Sequence, residues 1–347
     1  MTRRTFYIAA IGAAAFCLLV GPASATHVQC GDTITTNTTL DSDVVCPDAY
    51  QNYGLLIAAD NVLLRMNGFT LRAGANSGDA GILSGSPDED GLQGVRIKRG
   101  SIEGFRKGIV LAPIDDSTLF KVNVTTFDFQ GSLGEVGITL SGDRNWLVKN
   151  TVTLMGSNSG DGIRLIGDDA YAWGNVVTGS PSASIGHDGI IAQGLRPRLV
   201  YNQVTGCRLA TGVGVRDYTG YAVVSRNTVS GCHRGVQALA DTGSPGGAVV
   251  RLNQITGGSP NGQSIGLNVS DQGAIVERNV ARGANNTGIG VQTAGTTVRG
   301  NEAYDNGEYG IVAQEGTIDG GGNVASGNGP PSDPGRPECV NISCSSP

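Results

Sequence analysis

The sequence has few lysines, few histidines and few aromatic residues. Lysine occurs at four positions only, and the formal net charge is −6. Neutralising nucleic-acid phosphates requires a dense basic face, so bulk charge excludes a nucleic-acid partner. The three histidines, His27, His187 and His233, lie far apart in the sequence. Scattered histidines disfavour a site for a soft metal ion.

Long apolar runs are missing beyond the N-terminus. Residues 6–20 are apolar but too short to span a bilayer stably, and they lie between the pair Arg3 and Arg4 and the small residues 23–25. This order is typical of a secretory signal peptide. We therefore expect residues 1–25 to be removed, and the remainder to be periplasmic or extracellular with no transmembrane segment.

Cysteine is sparse but even in number after processing. Seven cysteines are present, and one of them, Cys17, lies in the expected signal peptide. An even set in an oxidising compartment indicates disulfides. The spacing predicts three local pairs, which are Cys30 with Cys46, Cys207 with Cys232, and Cys339 with Cys344.

Glycine is abundant, at 55 residues, and it marks a repeat. A glycine followed by Ile, Val or Leu precedes an asparagine by 13 positions in seven places, from Gly137 with Asn150 to Gly310 with Asn323, including Gly214 with Asn227. Two units have longer connections, and glycine pairs at 54–68 and 81–100 resemble degenerate copies. About eleven coils are predicted in this way.

Each repeat unit alternates apolar and polar residues with a period of two, which is typical of β-strands. Asparagine stands at a tight bend between two strands, where its amide can bond the backbone. A period of 22–27 residues fits three short strands and three turns per coil. The fold class is therefore all-β, a single-stranded parallel β-helix whose asparagines stack as a ladder: Asn123, Asn150, Asn175, Asn202, Asn227, Asn253, Asn279, Asn301 and Asn323.

The predicted domain organisation follows from the limits of the repeat. Residues 26–53 are expected to form an N-terminal cap, 54–328 the β-helix, and 329–347 a C-terminal cap closed by a disulfide. Caps are expected because an open coil exposes unpaired strand edges.

The segment 56–71, the Gly-Ile repeats and the asparagine ladder resemble right-handed β-helix repeat proteins. That group includes pectate lyases, polygalacturonases, alginate epimerases and periplasmic NosD-type proteins. The resemblance covers about residues 30–344 and implies the fold, but it does not imply an activity. It also implies that polysaccharide binds along an exposed sheet, which we assign to the strands after each repeat glycine. No complete catalytic motif of these families is present.

The outward positions of that sheet are rich in amides and hydroxyls and carry two arginines. Such a surface suits sugar hydroxyls and uronate carboxylates. Its first row is expected to hold Arg164 and Arg216 together with the substrate-binding residues Gln237 and Asn268. Its second row is expected to hold Gln193 and Tyr218, also as substrate-binding residues.

The central coils hold a polar cluster that fits three chemistries. Asp161 and Asp188 are in phase on neighbouring coils and suit the two carboxyls of a glycoside hydrolase. His187 or Tyr218 as base, with Arg164 or Arg216 neutralising a uronate carboxylate, suits a polysaccharide lyase. Asp168 and Asp169, with Asp188, suit calcium. Aspartate is also a common turn residue, so each has a purely structural interpretation.

The sequence favours an exported β-helix that binds or processes a uronate-type polysaccharide. Whether it is an enzyme stays open. The alternative is a non-catalytic binding or structural rod. A second alternative, implied by the NosD resemblance, is a metal-related periplasmic accessory protein.

Overall fold

The structure, a computed structural model, describes residues 27–48, 53–75, 79–85, 91–127, 135–155, 160–179, 187–207, 210–217, 221–240, 246–258, 264–330 and 335–346. The predicted signal peptide lies outside these residues. The described residues form β-strands and no helix. None of them therefore provides a helix long and apolar enough to cross a membrane.

The strands follow one another in short segments. The first twelve are β1 (Asp32–Ile34), β2 (Thr38–Thr39), β3 (Val44–Val45), β4 (Tyr53–Ile57), β5 (Leu63–Arg65), β6 (Thr70–Arg72), β7 (Ala80–Ser84), β8 (Leu92–Gln93), β9 (Arg96–Glu103), β10 (Lys107–Leu111), β11 (Ile114–Asp115) and β12 (Thr118–Thr126). The next twelve are β13 (Glu135–Ser141), β14 (Trp146–Val148), β15 (Thr151–Leu154), β16 (Gly160–Ile166), β17 (Tyr171–Trp173), β18 (Val176–Thr178), β19 (His187–Gly194), β20 (Arg198–Val200), β21 (Gln203–Thr205), β22 (Thr211–Asp217), β23 (Val223–Ser225) and β24 (Thr228–Cys232). The last are β25 (Arg234–Ala240), β26 (Val249–Arg251), β27 (Gln254–Gly258), β28 (Ile265–Ser270), β29 (Ile275–Glu277), β30 (Val280–Arg282), β31 (Thr287–Val291), β32 (Thr297–Arg299), β33 (Glu302–Tyr304), β34 (Tyr309–Ala313), β35 (Ile318–Asp319), β36 (Val324–Ser326) and β37 (Cys339–Val340).

Three parallel sheets run along the molecule. Sheet 1 has 13 strands, and every third strand of the chain belongs to it, from β1 and β4 to β34 and β37. Sheet 2 contains the second strand of each coil, such as β14, β17 and β20, and sheet 3 contains the third, such as β15, β18 and β21. Strands β9 and β12 continue from sheet 2 into sheet 3. The predicted parallel β-helix is confirmed.

The interior is filled by columns of aliphatic side chains. Ile138, Ile163 and Ile190 lie in register in sheet 1, continue into Val213 and Val236, and have no solvent exposure (0%). Burying each such side chain contributes roughly 1.5–3 kcal/mol, so the apolar alternation holds the coil register.

The asparagine ladder lies at the bend between sheets 2 and 3. At Asn202 the backbone N–H and the side-chain Nδ2 both donate to Asn227 Oδ1, over 2.9 and 3.0 Å, and Nδ2 also donates to the carbonyl of Ala172. The same pattern joins Asn150 to Asn323 through every intervening ladder asparagine. All of these amides are buried and hydrogen-bonded.

The ladder prediction was wrong at Asn123. Asn123 is exposed and pairs in register with Thr151. Its neighbour Val122 is buried instead, and the Val122 N–H donates to Asn150 Oδ1 over 3.0 Å. The ladder therefore begins at Asn150, because the longer connection after Gly108 places Val122 at the bend.

The predicted register was also wrong by two residues at Gly214. Gly189 stacks on Gly212, because Ile190 pairs with Val213. A Cβ on Gly212 would lie 2.3 Å from Val229 Cγ1 and 2.7 Å from the Gly235 carbonyl oxygen. Gly212 is thus the glycine that permits coil stacking, and each outward residue of β22 moves by two positions.

The predicted disulfides form and lie at the two ends and the centre. Cα atoms are 5.1 Å apart in Cys30–Cys46, 4.4 Å in Cys207–Cys232 and 6.1 Å in Cys339–Cys344. The N-terminal strands β1, β2 and β3 pair with β4, β5 and β6, so this segment extends all three sheets.

Candidate functional site

The residue directly before each repeat glycine lies at the starting edge of sheet 1. In six successive coils this position holds Lys107, Val136, Asp161, Asp188, Thr211 and Arg234, and we call its five polar members the charged row. Neighbouring parallel strands are ~4.8 Å apart, so the row runs across the strands along the helix axis.

Asp161 is the most buried carboxyl of the charged row. It is 5% exposed, and its Oδ2 accepts a hydrogen bond from Arg164 Nε at 2.5 Å. Burial raises the pKa of Asp161 to about 6, the charge of Asp188 adds to the rise, and Arg164 opposes it. A carboxyl with this pKa exchanges its proton near neutral pH, as an acid–base catalyst requires.

Asp188 provides a second carboxyl on the adjacent strand. It pairs in register with Asp161, and its Oδ1 accepts the Thr211 N–H over 2.8 Å. Neighbouring parallel strands are ~5 Å apart, so the two carboxyls can lie at the separation typical of retaining glycoside hydrolases, about 5 Å. The Thr211 hydroxyl donates to Gln237 Oε1 over 3.3 Å, which positions that amide beside the row.

Cationic side chains lie on both sides of the two carboxyls, each two strands away: Lys107 lies beyond Val136, and Arg234 lies beyond Thr211. Lys107 Nζ binds Asp79 Oδ2 over 3.1 Å, and Arg106 also pairs with Asp79. Partial burial acts to raise the pKa of Asp79, but hydrogen bonds from Lys107 and Arg106 hold it below its usual value. Arg234 is exposed at the opposite end of the row. An anionic polymer across the strands would therefore meet cations on both sides of the carboxyls.

Several predicted site residues lie apart from this row. Arg216 was predicted to align with Arg164, but it pairs in register with Gln193 and lies in the second outward row. Ile191 is the residue in register with Arg164. The backbone of His187 pairs in register with Gly160. The side chain of His187 and the whole of Tyr218 lie outside the described part of the structure.

The predicted amides lie on the same sheet. Gln237 and Asn268 are in register on β25 and β28, where Gln193 is half-buried two coils away. Asn268 is 6% exposed, and its Oδ1 has no hydrogen-bond partner among the described residues. Their role in substrate binding stays a prediction.

Asp168 and Asp169 lie in the turn after β16. Asp168 Oδ1 accepts the Leu195 N–H over 2.9 Å, and both oxygens of Asp169 are bound by Arg196. They follow the C-terminal end of β16, whereas Asp188 lies near the N-terminal end of the neighbouring strand β19. These contacts stabilise the turn, and calcium binding by the two aspartates stays a prediction.

Thr211 and Lys107 were not predicted to belong to a site. A signal was present, because each of them directly precedes a repeat glycine, as Asp161 and Asp188 do. The two-residue error at Gly214 hid Thr211, and the predicted binding surface used the positions after the glycines.

Comparisons with known proteins support the fold. Residues 148–320 match the model of a family described as NosD, periplasmic copper-binding protein. No curated protein sequence matches the chain.

Similar solved structures share the architecture at low sequence identity. A single-residue mutant of the periplasmic alginate epimerase AlgG has a TM-score of 0.53 and 15% identity, with coverage of 88% of this chain and 84% of that one. The Dettilon tailspike protein gp208 has a TM-score of 0.50 and 16% identity, and the match covers 88% of this chain. The chain spans 61% of the tailspike's length. Likeness at this level shows the fold alone.

The described residues do not fit a copper site of soft ligands. All six cysteines of the described part form disulfides, and Met66 is fully buried in the core. His27 Nδ1 lies 3.1 Å from Asp41 Oδ1 in the first coil, far along the chain from His233. No group of three or more potential ligands occurs among the described residues. Copper needs such clustering.

Proposed function

We propose that this parallel β-helix repeat protein binds a uronate-type polysaccharide across sheet 1 and cleaves it at the charged row. The observation that carries the proposal is the in-register pair Asp161 and Asp188, with Arg164 bound to Asp161. Two carboxyls with different surroundings are the minimal equipment for glycosidic bond hydrolysis.

The residues divide the reaction between them. Protonated Asp161 donates its proton to the glycosidic oxygen as that bond breaks, and ionised Asp188 attacks the anomeric carbon to form a glycosyl ester. Water then attacks the same carbon, gives its proton to Asp161 and releases Asp188. The Thr211 N–H holds one oxygen of Asp188, which leaves the other oxygen to act as nucleophile.

The surroundings of the carboxyls favour an acidic sugar as substrate. Arg164 is exposed over much of its side chain (46%) and can bind a uronate carboxylate while it contacts Asp161. Arg234 extends this positive character along the row, and Gln237 provides an amide for sugar hydroxyls. The epimerase among the similar structures is named for alginate, which agrees with this substrate class.

Export to an oxidising compartment is part of the proposal. Three disulfides stabilise the fold, and disulfides persist in the periplasm or outside the cell. The matched family is described as periplasmic.

Turnover on a panel of uronate polymers tests the proposal, with reducing ends and unsaturated-product absorbance read together. We expect new reducing ends without unsaturated products, and a loss of at least about 100-fold in Asp161→Asn. The matched control is Glu315→Gln, which changes an exposed carboxyl on a distant turn. Unsaturated products would show that the protein cleaves the polymer by elimination, which would contradict the proposed hydrolysis. Silence of the folded protein in both readouts would favour the non-catalytic rod.

The NosD match favours a second candidate, an accessory protein of the periplasm that handles a metal. The ligand distribution described above does not support copper binding within the described residues. Copper titration followed by thermal unfolding distinguishes the candidates, because a resident metal would raise the unfolding temperature.

A further inference from the structure

Sheet 2 carries an aromatic groove on the side of the molecule away from the charged row. Its floor and ends are formed by four residues in register on successive coils, Thr118, Trp146, Tyr171 and Arg198. The groove has a volume of about 780 Å³, which lies within the range of small-molecule sites.

The two aromatic rings present a preformed apolar platform. Trp146 and Tyr171 have centroids 5.1 Å apart at an interplanar angle of 61°, so each fixes the orientation of the other. Trp146 is nevertheless 50% exposed. A large ring held rigid and left in water suits the apolar face of a sugar ring, because little side-chain entropy is lost on binding.

One wall of the groove is a line of alternating charges. Arg144 binds both oxygens of Asp116 over 2.7 and 2.9 Å, and Arg196 binds both oxygens of Asp169 over 2.8 and 2.6 Å. These bonds use Nε and Nη2 of each arginine, so Nη1 points away from the bound carboxylate. The wall therefore offers fixed donors and acceptors at the spacing of the coils, which suits the hydroxyls of a sugar chain.

Arg198 gives the groove a preference for anions. It is exposed and makes no ion pair within the described part of the chain, although its charge helps to lower the pKa of Asp169, whereas Arg144 and Arg196 bind Asp116 and Asp169 directly. The residues that line the groove include three arginines and two aspartates, so the lining has one cation in excess beside an aromatic platform. A uronate residue complements this arrangement, with its ring on the aromatics and its carboxylate on the guanidinium.

We propose that the aromatic groove is a second, non-catalytic binding site for acidic oligosaccharides, which holds the polymer while sheet 1 acts on it. The choice of ligand class rests on the proposed function, but the site is separate from the charged row in residues and sheet. A neutral glycan would bring no anionic group to bind Arg198.

Tryptophan fluorescence tests the groove directly, because the chain has two tryptophans. In Trp173→Phe, the emission comes from Trp146 alone. Titration of the full-length variant with oligogalacturonate should give a saturable change, and neutral cello-oligosaccharide should give none. Arg198→Gln in the same background should weaken binding at least about tenfold, the effect of losing a charge-assisted contact.

The matched control is Tyr201→Ala, since Tyr201 packs against position 173 outside the groove. Its affinity should match that of the parent. An equal response to neutral and acidic oligosaccharides, no response, or an unchanged affinity in Arg198→Gln would overturn the proposal. The same titration in Asp161→Asn distinguishes the two sites. A fluorescence response that is retained while turnover is lost would show that the groove binds independently of the charged row on sheet 1.

Discussion

Replacing Asp161 by asparagine should stabilise the fold at neutral pH while it removes activity. The pKa of Asp161 is raised from 3.8 to about 6, mainly by burial. The folded state therefore binds more protons than the unfolded state between these pH values, and the contribution of Asp161 to stability falls as pH rises through this window. The difference between the two pKa values corresponds to about 3 kcal/mol. Asparagine keeps the shape and cannot ionise.

The assay is thermal unfolding of both proteins from pH 4 to pH 8. Near pH 4 the two should unfold at similar temperatures, and the variant should gain several degrees by pH 7, since 1 kcal/mol shifts the midpoint by ~2–4 °C in a domain of this size class. Glu315→Gln, at an exposed turn, should show no such trend. A variant less stable than the wild type throughout would show that Asp161 is stabilised as an anion by Arg164, and the reasoning would fail.

Three further predictions concern the fold. Asn227→Leu should destabilise by at least about 3 kcal/mol in chemical denaturation, because partners in the ladder above and below lose buried hydrogen bonds; unchanged unfolding would contradict the ladder. Gly212→Ala should lower the unfolding temperature far more than Gly214→Ala. A Cβ at residue 212 would clash with a backbone oxygen and Val229, whereas a Cβ at residue 214 would meet the flexible end of Ile191 at 2.8 Å. Equal effects would support the register predicted from the sequence. Replacing Cys207 and Cys232 by serine should cost about 3–4 kcal/mol for a loop of 25 residues, and no change would mean that coil stacking alone holds this loop.

The repeat made the fold predictable from sequence. Stacked asparagines need identical surroundings, so their spacing repeats, and the disulfide between Cys207 and Cys232 follows from the same register. Asn123 escaped the pattern because the amide position of that coil is taken by Val122. Any residue whose backbone N–H donates to the first asparagine of the ladder can occupy the position before it. The sequence therefore does not show where the ladder begins.

The register at β22 was ambiguous for a physical reason. Gly212, Val213, Gly214 and Val215 repeat with a period of two, so a shift by two residues keeps every valine inside. Only the close approach of Val229 to Gly212 distinguishes the alternatives, and such a contact between coils is invisible in sequence. Arg216 was consequently placed in the wrong row.

The site was only partly predictable. Asp161 and Asp188 were found from their phase, but the burial that raises the pKa of Asp161 depends on packing around the strand edge. No role was predicted for Trp146 and Tyr171, because their contact joins the middle strands of two coils, whereas the predicted binding surface lay on the strands after the glycines.

A crystal structure of the Asp161→Asn protein with a bound oligouronate would show directly whether the charged row binds the polymer. We expect a sugar chain that crosses the strands of sheet 1, with a glycosidic oxygen next to residue 161, an anomeric carbon facing Asp188 and a carboxylate on Arg164. An empty sheet 1 at saturating oligosaccharide, with or without ligand in the aromatic groove, would contradict the claim that the charged row acts on the polymer.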